Sequence, residues 1–136
     1  MKVTASQKNQ LMKIAVKYGI TQIFLFGSQV KGTARPTSDI DFGIESKNRL
    51  SREQYAKLTS DLAHLFDISS TRVDLTELSY ADPLLLQRSY FEGKLLCGDP
   101  KRFQERKMYA LKRLMDHKKF LNLQDQYIQK KLYARD

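Results

Sequence analysis

The sequence predicts a mixed α/β (α+β) domain, a small mixed β-sheet with helices packed on it, followed by a long C-terminal helical region. Three observations predict it. Apolar residues recur at helical spacing in several separate stretches, and short apolar or alternating runs suited to strands lie between them. Glycine, proline and capping residues mark the boundaries. At 136 residues the chain is the size of one domain, long enough to bury a core without metal or disulfide staples.

Residues 4–18 open the chain as an amphipathic helix, with Leu11, Ile14, Ala15 and Tyr18 three or four positions apart and Gly19 as the C-terminal cap. Residues 20–26 follow as a strand whose apolar run Ile23 to Phe26 suits burial on both faces. It ends in Gly27-Ser28. A short helical turn is expected from Ser28, then a loop to Ser38 containing Gly32 and Pro36. Residues 39–44 alternate, so a strand there carries Asp39, Asp41 and Gly43 on one face and Ile40, Phe42 and Ile44 on the other.

Ser51 and Gln54 form a capping box for a helix running to about Phe66, with Tyr55, Leu58, Leu62 and Leu65 on its apolar face. Residues 73–78 read as a strand. Asp82-Pro83 is an N-cap with proline at the first helical position, and Gly93 closes that helix. Leu95 to Cys97 reads as a short last strand. Pro100 then begins a helical region, broken or continuous, to about Tyr133. Its ragged apolar stripe runs through Leu111, Leu114, Met115, Leu121, Ile128 and Leu132, and the part from Leu111 to Leu121 is expected to join the core. Residues 1–100 form the main domain, and 101–136 a basic helical extension that packs on it, docks a partner, or does both.

Composition narrows the function. Hydrophobic residues make up 41% and charged residues 29%, as in soluble globular proteins. No apolar run approaches the ~20 residues of a membrane-spanning helix. The N-terminus lacks the apolar core of a signal peptide, so the expected compartment is the cytoplasm. The lone Cys97 suits a reducing environment, and one cysteine with two histidines does not suit a Cys/His zinc site. The net charge of +9 is uneven, because residues 101–136 alone carry +7. A basic tail suits an acidic protein partner, nucleic acid or plain solvation. Direct nucleic-acid binding is not the favoured reading.

The chemistry lies in Gly27-Ser28, ten intervening residues, and Asp39-x-Asp41. Carboxylates at i and i+2 of a strand project from one face, with β-carbons roughly 6–7 Å apart. Two such anions repel, and a shared divalent cation relieves the repulsion. Magnesium takes a few carboxylate oxygens and completes its shell with water and phosphate. A glycine at the end of a buried strand lets a ligand approach the backbone, and a following turn with a serine hydroxyl offers donors to an anion. Asp74 sits at the same kind of strand position between Val73 and Leu75. It joins the site if its strand neighbours that of Asp41. The alternative is a salt bridge to a neighbour such as Arg72. Lys31 and Arg35 lie in the loop, within reach of phosphate or of solvent alone. His64 and His117 have no partner motif, and Cys97 reads as a small hydrophobe.

The stretch GSQVKGTARPTSDIDFGI, with Asp74 on a later strand, resembles the minimal nucleotidyltransferase family of the DNA polymerase β superfamily. The resemblance spans about residues 10–98 and rests on Gly27, Ser28, Gly32, Ser38, Asp39, Asp41 and Asp74. Many relatives carry Ala-Arg where this chain has Val30-Lys31, so a bidentate fork is replaced by a point charge. The resemblance implies a polymerase β-like fold, with Asp39 and Asp41 as ligands of two Mg²⁺ ions. Asp74 would be a ligand of one ion and the base for the acceptor hydroxyl. Gly27, Ser28, Lys31, Gly32 and Ser38 would bind nucleotide, with ATP as substrate. For a unit this small it also implies the antitoxin half of a toxin–antitoxin pair, which transfers AMP to a tyrosine of a cognate HEPN ribonuclease toxin. The alternatives are small-molecule nucleotidylation with a separate substrate-binding subunit, or a non-catalytic toxin- or RNA-binding module.

Overall fold

A computed structural model describes residues 2–26 and 38–133. Thr4 caps helix α1 (Ala5–Tyr18) through a capping box with Gln7, and Gly19 closes it in the left-handed conformation at φ 66°. Strand β1 (Ile20–Phe26) follows, then β2 (Ile40–Ser46). The Ser51–Gln54 box starts α2 (Arg52–Leu65) as its sequence predicts. Strand β3 (Val73–Glu77) lies between two 3-10 turns, Ser70–Arg72 and Leu78–Tyr80, which the periodicity does not reveal. Helix α3 (Pro83–Glu92) is capped by Asp82, β4 spans Lys94–Cys97, and α4 runs unbroken from Pro100 to Tyr133, 34 residues.

The four strands form one mixed sheet in the order β3-β2-β1-β4. β1 is antiparallel to both β2 and β4, and β2 is parallel to β3. Because β1 is central, Ile23 and Leu25 enter a core against α1 and α2, while Phe24 enters a second core against α3 and α4. The expected burial of Ile23 to Phe26 on both faces is borne out, with Phe26 only half-covered at the strand end.

β2 divides its side chains as its alternation requires. Ile40, Phe42 and Ile44 join the α1/α2 core, and Glu45 on the opposite face meets Arg106 of α4. Tyr55 of α2 donates a hydrogen bond to the carbonyl of Leu75, which ties α2 to β3. Lys17 and Tyr18 both donate to Asp61, joining α1 to α2.

The C-terminal helix departs from expectation. Its buried residues are Phe103, Ala110 and Leu114, and every described residue beyond Leu114 is exposed. The stripe expected in the core as far as Leu121 therefore stops at Leu114, with Met115 61% and Leu121 46% exposed. The physical reason is length. A sheet strand of five to seven residues spans about 17–23 Å, whereas 34 helical residues span about 51 Å, so the helix outruns the sheet it packs on. Cys97 is half-buried at the sheet edge, where burial raises its thiol pKa.

Candidate active site

Asp41 and Asp74 are direct register partners on the parallel strands β2 and β3. The condition for Asp74 to join the site is therefore met. Asp41 is half-buried and Asp74 is exposed at the sheet surface. Asp39 is exposed and stands one residue before β2 begins, slightly outside the strand its alternation predicts. The three carboxylates interact. The Asp41 carboxyl is held above its ordinary pKa, first by burial, then by the charge and hydrogen bonding of Asp74, then by Asp39.

Arg72 does not take up the alternative role of pairing with Asp74. Its Nε and Nη2 donate to the carbonyl oxygen of Ser38 at 3.2 and 2.7 Å, so it does not serve as the salt-bridge partner of Asp74. The contact joins the turn before β3 to the segment leading into β2. It thereby fixes Asp39 and Asp74 relative to one another. Sequence reasoning missed this, because a guanidinium aimed at a backbone carbonyl leaves no pattern in residue types. Ser38 is half-buried at this junction. Gly27, Ser28, Lys31 and Gly32, the rest of the expected nucleotide cradle, and Arg35 lie outside the described residues.

The surroundings of Asp41 are tightly packed. Its cross-strand partner on β1 is Phe26. The next residue on its face, Gly43, lies under aromatic side chains. A Cβ there would meet Leu78 Cδ1 at 2.9 Å and the rings of Phe24 and Phe26 at 3.0 Å. Glycine is required at this point by close approach, and it lets the aromatic layer settle beside the carboxylates. Tyr80 is exposed and carries Arg49 over its ring at 4.9 Å. His64 lies exposed in α2.

Among the described residues no three His, Cys, Asp or Glu side chains are gathered closely enough to cage a metal ion. Magnesium is commonly held by one or two carboxylates together with substrate phosphates and water. The paired, mutually repelling Asp41 and Asp74, with Asp39 beside them, fit such an ion on the observed register.

Residues 9–102 match the family described as Polymerase beta, Nucleotidyltransferase. The chain belongs to this nucleotidyltransferase family. The protein adenylyltransferase MntA of Shewanella oneidensis is 33% identical over 90 residues, which cover 66% of this chain. The match spans about 60% of that relative's length. Among solved structures, a chain from a toxin–antitoxin complex with AMP-PNP superposes with TM-score 0.67 at 25% identity, covering 92% of this chain and 97% of that one. A chain from the MntA–HepT toxin–antitoxin complex superposes with TM-score 0.62 at 22% identity, covering 95% and 98%. The second likeness establishes the fold alone. The polymerase β-like nucleotidyltransferase fold expected from the sequence is thus borne out. Among the described residues no helix is long and apolar enough to cross a membrane.

Proposed function

We propose that this chain is an antitoxin that transfers AMP from ATP to a tyrosine hydroxyl of a cognate HEPN toxin and so neutralises it. The observation that carries the catalytic part is the pairing of Asp41 with Asp74 across parallel strands, with Asp39 close enough to raise the Asp41 pKa. The likeness to MntA, a protein adenylyltransferase, supports the choice of reaction. The likeness to a toxin–antitoxin complex with AMP-PNP supports an adenine nucleotide as substrate and a toxin as partner.

On this reading Asp39 and Asp41 would hold two magnesium ions, and Asp74 one of them. Bound magnesium supplies charge neutralisation at the triphosphate. Gly27, Ser28, Lys31, Gly32 and Ser38 cradle the nucleotide. The acceptor oxygen attacks the α-phosphorus. A new O–P bond forms as the bond to the α–β bridging oxygen breaks, and pyrophosphate leaves with the electron pair. The acceptor proton passes to the Asp74 carboxylate, which stands at the exposed edge of the site where an acceptor arrives.

Residues 1–100 form the catalytic unit and 101–136 the docking arm. The arm is anchored through Phe103, Ala110 and Leu114. From Met115 to Tyr133, a helical length of about 28 Å, it presents Phe120, Leu123, Tyr127 and Leu132, each more than half exposed. Apolar surface on that scale marks a protein interface, and the flanking lysines favour an acidic partner. The workplace is the cytoplasm, where ATP is plentiful and Cys97 stays reduced.

The test is incubation with labelled ATP, Mg²⁺ and the product of the neighbouring gene. Label on a tyrosine of that protein supports the reading. Label on neither protein, or release of free AMP only, overturns it.

A further inference from the structure

Four secondary-structure elements place polar groups in the layer between the sheet and helices α3 and α4. β2 contributes Glu45, 3% exposed and on the face that carries Asp41 and Gly43. α4 contributes Arg106, whose Nε lies 3.2 and 3.0 Å from the two carboxylate oxygens of Glu45 and whose Nη2 lies 2.8 Å from Oε1. α3 contributes Tyr90, 1% exposed, beside both. β1 contributes Gln22, fully buried and the register partner of Glu45. Among the described residues neither amide atom of Gln22 nor the Tyr90 hydroxyl has a hydrogen-bond partner of good geometry. Glu45–Arg106 is the one salt bridge between α4 and the sheet among the described residues.

Adhesion of α4 does not need this pair. Phe103 packs on Phe24 and Tyr90 with ring centroids 5.9 and 5.2 Å apart, and Ala110 and Leu114 are buried beyond it. A buried ion pair adds little net stability over an apolar pair of similar volume. It adds direction, because a planar guanidinium forked onto a carboxylate fixes angle and register where packed rings can slide. The Arg106 guanidinium carbon also lies 4.4 Å from the centre of the Tyr109 ring on its own helix. Glu45 lies four residues along β2 from Asp41, about 13 Å away.

We propose that the Glu45–Arg106 pair sets the angle at which α4 leaves the catalytic sheet. It thereby sets where the distal half of α4 presents a bound acceptor relative to the catalytic sheet. The second statement rests on the reading of α4 as the docking arm, and the first does not. Glu45 and Arg106 are positioning residues, because neither touches the reacting atoms.

The test uses the full chain and the double variant Glu45→Leu/Arg106→Met, which removes both charges and strands neither. Thermal melting first establishes that the variant folds; Glu45→Gln/Arg106→Gln replaces it if it does not. In a Cys97→Ser background, spin labels at Lys47→Cys and Gln126→Cys report the distance from the end of β2 to the distal helix. A narrow distribution in the unsubstituted pair that broadens in the double variant is expected. An unchanged narrow distribution overturns the proposal. With the neighbouring-gene protein as acceptor, the double variant should keep its affinities for ATP and for that protein. The rate of AMP transfer should fall by about a hundredfold, the scale of a 1 Å misplacement. Transfer at the full rate would overturn the proposal. Absence of transfer by the unsubstituted chain would overturn the functional reading and leave the distance measurement to decide the clamp.

Discussion

Cutting the chain after Phe120 removes 13 of the 34 residues of α4 and no buried side chain, because the last buried residue of the helix is Leu114. Replacing one exposed residue away from special features changes stability by about 0.5 kcal/mol at most. For a domain of this size that is a shift in Tm of about 3 °C or less. Leu114→Ala, six residues earlier, should cost about 2–5 kcal/mol, enough to lower Tm by ~10 °C. Circular dichroism should show the truncated chain losing helical signal while it keeps one cooperative transition. ATP binding by titration calorimetry should be unchanged. Association with an acidic partner should slow through loss of exposed apolar surface, while its salt dependence should change little, because residues 121–136 carry a net charge of only +1. Loss of cooperative unfolding in the truncated chain would refute the reasoning, since it would mean that the exposed half of α4 belongs to the fold.

Asp41→Asn should abolish AMP transfer. It should also raise the Tm of the metal-free protein at neutral pH. The folded state holds the Asp41 pKa above its unfolded value, so ionisation penalises folding above that raised pKa and the penalty fades as pH falls through it. The Tm gap between variant and parent should therefore close in acid, and melts at several pH values check this. Mg²⁺ with ATP should raise the Tm of the parent and not of the variant. Ser28→Ala should weaken ATP binding ten- to a hundredfold, the worth of a charge-assisted hydrogen bond of roughly 1.5–3 kcal/mol, by titration calorimetry. Gly43→Ala should cost about 1–3 kcal/mol by overpacking against Leu78, Phe24 and Phe26, read from denaturant melts.

Much of the fold is legible because local signals agree. The Ser51–Gln54 box, Asp82-Pro83 and Gly19 fix helix ends through orphan backbone groups that must be satisfied within a few residues. The same signature at Thr4 and Gln7 was available for the start of α1. The alternation in β2 correctly divided Asp41 from Phe42, because one face had to be buried. The two 3-10 turns flanking β3 left no trace, since three residues are too few for a period. The apolar stripe of α4 misled because periodicity reports a face and cannot report whether anything lies against it. Leu114 and Leu121 are equivalent in the pattern, and only the length of the sheet separates them.

In the site, the spacing of Asp39 and Asp41 was visible, as was Asp74 between two apolar residues. Their meeting depended on β3 pairing with β2, a non-local fact. Arg72 and Glu45–Arg106 were invisible for the same reason. Glu45 and Arg106 stand 61 positions apart, and a charged residue destined for burial looks like any other surface charge until its partner is found.

The most direct measurement is intact-mass spectrometry of the neighbouring-gene protein after incubation with this chain, ATP and Mg²⁺, run beside Asp41→Asn. The account expects the mass to rise by whole AMP units with the parent, on a tyrosine that peptide mapping identifies, and not to change with the variant. An unmodified protein with the parent, or equal modification by the variant, would contradict it.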